Sequence, residues 1–135
     1  MLPLAPSRYK RVVAFRRTLG SLVERTKGAR GAVFCDCEGE FVELVTADPQ
    51  LSDYDMRVFG AQVAAAWLNL HNGASERGAG GIVEMKIHCA QGTLLCRNLR
   101  DGYYLVLLLA RGVPSGAAAF ELKLAAAEVA SELET

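Results

Sequence analysis

Four cysteines and two histidines are the side chains of this 135-residue sequence best suited to hold a metal or attack a substrate. Cys35 and Cys37 stand one residue apart at the end of a β-prone run, so both would point to one side of a strand. Cys89 or His88 could complete a zinc site with them if the fold brought them together. The spacing matches no zinc ribbon or finger, and a buried cysteine is most simply a small apolar residue. His71 and His88 lie in no recognisable catalytic pattern, and read as a helix-end cation and a polar-face residue of a strand. The carboxylate pairs Glu38/Glu40 and Asp53/Asp55 fall in a turn and at a helix start, where negative charge is favourable without acid–base work. Gly78, Gly80 and Gly81 lead into a strand and have no following Lys-Ser or Lys-Thr, so they do not form a phosphate-binding loop. These residues point to no catalytic, cofactor-binding or metal-ligating set.

The elements that would position any site follow from periodicity. After a loop-like start over 1–6, Ser7 is a plausible N-cap for a first amphipathic helix, in which Val12, Phe15, Leu19, Leu22 and Val23 recur at helical spacing before Gly28. Gly31 to Asp36 and Phe41 to Thr46 are short β-prone runs joined by Cys37-Glu38-Gly39-Glu40, which predicts an antiparallel hairpin. Ser52 or Asp53 starts a second helix that runs to His71 or Asn72, with Gly73 as its stop and an exposed loop over 72–81. Val83, Met85, Ile87 and Cys89 alternate with Glu84, Lys86 and His88, giving a third strand with one apolar face. Gln91-Gly92 and Asp101-Gly102 bracket a fourth strand as turn dipeptides. Tyr103 to Ala110 is so continuously apolar that it must be a central strand covered on both sides. A last helix spans Gly116 to Leu133, with Ala118, Leu122, Ala125, Val129 and Leu133 inward. The order α-β-β-α-β-β-β-α with hairpin links predicts one domain, core residues 7–133. It is an α/β (α+β) three-layer sandwich, with a five-stranded antiparallel sheet between helices.

Fifteen basic residues balance fifteen acidic ones, which argues against nucleic acid as a partner. A hydrophobic fraction of 51% and a charged fraction of 22% are those of an ordinary globular domain. The longest apolar run falls far short of the roughly 20 residues that span a bilayer, and the N-terminus has no signal-peptide core. No membrane insertion and a cytoplasmic location with reduced thiols are therefore expected.

The second helix carries the positive signal. Its apolar residues lie almost all the way round, whereas a surface helix shows one stripe. Gly60, Ala61, Ala64 and Ala65 are small enough for a second helix to approach, and Phe59 and Trp67 are anchors of the kind interfaces favour. This predicts a self-pairing face, against the plainer alternative that the helix is buried within its own monomer.

Several segments resemble the roadblock family of dynein light chains and bacterial GTPase regulators. They are Gly31-Ala32-Val33-Phe34-Cys35-Asp36 followed by Gly39, the Ala-rich second helix, Gly92-Thr93-Leu94-Leu95-Cys96-Arg97, and Asp101-Gly102-Tyr103-Tyr104-Leu105-Val106. The resemblance implies a homodimer, or a pair with another roadblock chain, joined third strand to third strand with the second helices side by side. The interface would then comprise Met56, Phe59, Gly60, Val63, Ala64 and Trp67 on the helix with Val83, Met85 and Ile87 on the edge strand. It further implies a small Ras-like GTPase as partner, met by Arg57, Gln62, Asn69, His71, Glu76 and Arg77, and no cofactor. A structural adaptor without nucleotide preference is the alternative, and a small-molecule or metal sensor the third. The two closely spaced cysteines Cys35 and Cys37 depart from the resemblance.

Overall fold

The computed structural model describes residues 8–134; the expected N-cap Ser7 and the start 1–6 lie outside the described residues. The elements are α1 (Arg8–Arg25), β1 (Ala29–Cys35), β2 (Phe41–Thr46), α2 (Asp53–Glu76), β3 (Glu84–Cys89), β4 (Gly92–Asn98), β5 (Tyr104–Ala110) and α3 (Ser115–Glu134). The strands form one sheet in the order β2-β1-β5-β4-β3, antiparallel at every pairing. β5 is central, as its unbroken apolar run requires: Tyr104, Leu105, Val106, Leu107, Leu108 and Leu109 are all buried.

Alternation along β1 and β5 divides the core in two. Ala32, Phe34, Leu105, Leu107 and Leu109 face α1 and α3, meeting Phe15, Leu19, Leu22, Leu122, Ala125 and Val129. Val33, Cys35, Val106 and Leu108 face the other way, toward Met56, Val63, Ala64 and Trp67 of α2. One face thus carries two helices and the other a single helix, which lies over β1 and β2. Phe15 and Tyr103 sandwich Phe34, with centroids 5.0 and 5.5 Å away.

Two local expectations need correction. Gly73 does not end α2, which continues to Glu76. The stop is Gly78 at φ 83°, where the N–H of Gly78 donates to Ser75 O at 3.3 Å and that of Ala79 to Ala74 O at 2.9 Å. That pair of bonds is a Schellman ending, which needs a left-handed residue just past the cap and so selects the second glycine rather than the first. In the β3–β4 hairpin Cys89 pairs with Gly92, so the turn is Ala90-Gln91 and Gly92 belongs to the strand. A Cβ on Gly92 would lie 2.6 Å from Leu109 O, so its glycine is required by close packing against β5 and not by a turn. Asp101 and Gly102 do turn the β4–β5 hairpin, both at positive φ (58° and 79°). Among the described residues no helix is long and apolar enough to cross a membrane.

Candidate interaction surface

Ser52 caps α2, its Oγ accepting from the Asp55 N–H at 3.0 Å, and Asp53 and Asp55 place negative charge at the positive end of the helix. From there the helix presents two unlike faces. Met56, Gly60, Val63, Ala64 and Trp67 are buried against the protein's own sheet. Trp67 is 6% exposed and packs into the second core, so within the single chain these five residues, expected at the interface, serve the protein's own packing. Gly60 is needed for that packing, since a Cβ there would sit 2.7 Å from Cys35 Sγ and 3.1 Å from Val33. Phe59, also expected at the interface, is partly buried against the same core.

The outward face is a different stripe. Tyr54 (71% exposed), Ala61, Ala65 and Leu68 (53% exposed) recur at helical spacing and point away from the sheet. Two alanines flanked by two larger apolar side chains leave room at the centre for another helix and grip at the ends. A helix apolar on all sides does not reveal in its sequence which side meets its own sheet, and small residues lie on both sides of α2.

β3 is an edge strand paired only to β4. Met85 and Ile87 are half-buried on the α2 side of the sheet, where α2 itself lies over β1 and β2. Val83 lies just before the strand and is exposed, its carbonyl accepting from the Asn98 N–H at 3.0 Å. The sheet edge and the outer stripe of α2 are thus both open in the single chain.

The residues expected to meet a second protein do not form one patch. Gln62 and Asn69 are exposed on the outer side of α2. Gln62 lines a groove with Arg30, Gln50, Leu51, Asp55 and Phe59. At its rim Asp48 holds Arg30 at 2.6 Å, and its carboxyl is pushed below the usual range first by the Gln50 N–H and then by that arginine. Arg57 lies with its guanidinium 4.2 Å from the ring centre of Phe41 on β2, on the flank of the helix. Glu76 and Arg77 are exposed at the helix end, where Arg77 Nη1 donates to Gly73 O. His71 is tied inward: its Nδ1 accepts from the Ile82 N–H at 3.0 Å and its ring stacks on Trp67. It positions the lead-in to β3, a role that its reading as a helix-end cation did not include.

The cysteines are spread through the fold. All four are free thiols, Cys35 and Cys96 buried under α2 and Cys37 and Cys89 exposed. Burial pushes the Cys35 and Cys96 thiols up to about 12, which leaves them inert at neutral pH. Among the described residues no group of three or more Cys, His, Asp or Glu could hold a metal ion.

No family model and no curated protein matches the sequence. Solved structures do match. A Roadblock/LC7 domain from Streptomyces avermitilis is 18% identical, with a TM-score of 0.77 over 89% of this chain and 98% of that one. The gliding protein MglB from Thermus thermophilus is 22% identical, with a TM-score of 0.80 over 98% and 96%. A structure described as MglB with a tetrameric arrangement is 23% identical, again at 0.80, over 98% and 95%. With the helix order, the antiparallel five-stranded sheet and the central β5 already established, these likenesses identify the fold of this chain as that of the Roadblock/LC7 domains.

Proposed function

We propose that this chain is a non-catalytic binding module that pairs with a second copy of itself and regulates or scaffolds a small Ras-like GTPase. The observation that carries the pairing is the incomplete layer on one face of the sheet. A single helix covers β1 and β2, while the open edge of β3, half-buried Met85 and Ile87, and the outward stripe Tyr54, Ala61, Ala65 and Leu68 are left for a partner. Edge-to-edge pairing of β3 with a second β3 would satisfy its free backbone groups, and a second copy packed on the outward stripe of α2 would cover those apolar side chains. The tetrameric arrangement named for one MglB structure supports self-association as a property of the fold.

The GTPase reading rests on the roadblock fold and on the segments that resemble the family. Such a module acts by preferring one conformation of a GTPase's switch segments over the other. Gln62 and Asn69 on the outer face of α2 belong to the surface it would offer. Immobilised protein incubated with native lysate, once with a non-hydrolysable GTP analogue and once with GDP, tests this by mass spectrometry. A small GTPase enriched in one nucleotide state supports the regulator. Partners that are indifferent to nucleotide, with no GTPase among them, support an adaptor.

A further inference from the structure

We propose that the cleft between the end of α1 and the start of α3 binds a free α-amino acid with an apolar side chain. The cleft has a volume of about 450 Å³, within the range of small-molecule sites. Backbone contacts fix its walls. Gly28, just past α1, turns at φ 81°, and its carbonyl accepts from the Ala110 N–H at 2.8 Å at the end of β5. Val113, in the link to α3, sits so closely on Gly28 that a Cβ there would come within 2.2 Å of it. The cleft is therefore formed before any ligand enters.

Two polar groups in the cleft lack a hydrogen-bond partner among the described residues. Thr26 lines it and is 5% exposed, yet its hydroxyl is unbonded. Glu121 lines it from α3, and its Oε2 is shielded from solvent without a donor. Arg25 Nε lies 3.7 Å from that oxygen, close enough for an ion pair but too far for a hydrogen bond. Buried oxygens in this state are costly, and a ligand bearing N–H donors would relieve both.

Charge then restricts the ligand. Arg25 and Lys27, exposed on the α1 side, disfavour a cation, and Glu121 disfavours a plain anion such as phosphate. A zwitterion meets both requirements. Its charges must be close together, because the Arg25 and Glu121 heads are only 3.7 Å apart. An α-amino acid carries ammonium and carboxylate on one carbon. The ammonium would donate to Glu121 and Thr26, while the carboxylate would face Arg25 and Lys27. The rest of the lining includes Val113, Pro114 and Ala117, which suits an aliphatic side chain. No residue of α2 or β3 lines the cleft, so a partner seated on those elements leaves it open.

Calorimetry on the full chain with L-leucine, leucinamide and 4-methylpentanoate tests it. L-leucine should bind saturably, and each analogue, lacking one of the two charges, should bind about tenfold or more weakly. Thr26→Val should weaken L-leucine binding about tenfold, while the melting midpoint of the ligand-free protein stays the same or rises, because an unpartnered buried hydroxyl is removed. Glu121→Gln should weaken L-leucine and strengthen 4-methylpentanoate, a pair of opposite changes that loss of folding cannot produce. The proposal is overturned if L-leucine fails to saturate by about 10 mM, or if all three compounds bind alike. Inorganic phosphate binding as tightly as L-leucine would overturn it as well. So would a Thr26→Val protein that melts lower but binds L-leucine as the wild type does, since the hydroxyl would then serve the fold alone.

Discussion

The backbone N–H of Ile82 donates to His71 Nδ1 at 3.0 Å, joining the last turns of α2 to the segment that enters β3. The imidazole is also stacked on Trp67, and a Cβ on Gly81 would meet its ring at 2.3 Å, so ring, helix and loop fit in only one arrangement. The two elements proposed to pair with a second copy are therefore positioned by one side chain. His71→Ala should lower stability by about 1–2 kcal/mol in urea unfolding, the value of a part-buried hydrogen bond with its packing. Amide exchange should quicken over 80–89 while β5 is unaffected. Uniform quickening across the sheet would show that His71 supports the whole fold and not this junction.

Trp67 faces the sheet, so Trp67→Ala should unfold the protein rather than release intact monomers. Truncating a buried tryptophan costs about 3–5 kcal/mol. Circular dichroism melting should show a large drop in midpoint. A folded Trp67→Ala monomer with near-normal stability would return this residue to the interface.

Gly60→Ala sets two effects against each other. Replacing a mid-helix glycine favours the helix by up to about 1 kcal/mol. The new methyl would also lie 2.7 Å from Cys35 Sγ, and overpacking of that kind costs about 1–3 kcal/mol. The crowded atoms belong to a buried side chain on a central strand, so the clash should prevail and the variant should be less stable. Cys35→Ala in the Gly60→Ala background should recover part of the loss, and a double variant no better than the single one would place the strain elsewhere.

Thiol chemistry should divide the cysteines into pairs. Cys37 and Cys89 are exposed and should react with an aromatic disulfide reagent in the native protein, whereas Cys35 and Cys96 should react only after denaturation. For the buried pair the folded values, about 12, stand above the ordinary 9.0, so the folded state holds these protons more tightly. Their contribution to stability is complete below pH 9 and is lost as pH rises from about 9 to about 12. Denaturant titrations across that range should show stability falling, and Cys35→Ala/Cys96→Ala should flatten the fall.

How much of this could be read from the sequence depended on whether a residue's neighbours are local. The hydrophobic run 103–110 could only be a strand with layers on both sides, and β5 is central. Asp101-Gly102 carries its own turn geometry and was legible for that reason. Gly73 and Gly78 look alike as helix stops, and what separates them is whether the following N–H groups reach Ser75 and Ala74, which depends on the path into β3. The orientation of α2 was less accessible still. Small residues occur on both of its sides, Gly60 and Ala64 inward and Ala61 and Ala65 outward. Only the position of Val33 and Cys35 beneath the helix fixes which set is buried. His71 escaped because its partner is a backbone N–H eleven residues away.

The self-pairing module is tested most directly by light scattering at micromolar concentration on wild type and Ala65→Glu, a substitution on the outer stripe that the monomer's own core does not sense. The wild-type chain should have at least twice the 14.5 kDa mass of one copy. Ala65→Glu should have the mass of one copy with its melting curve still cooperative, because an unpaired charge would be placed where the second helix packs. A monomeric wild type, or an Ala65→Glu protein that keeps the wild-type mass, would contradict pairing through the outer face of α2.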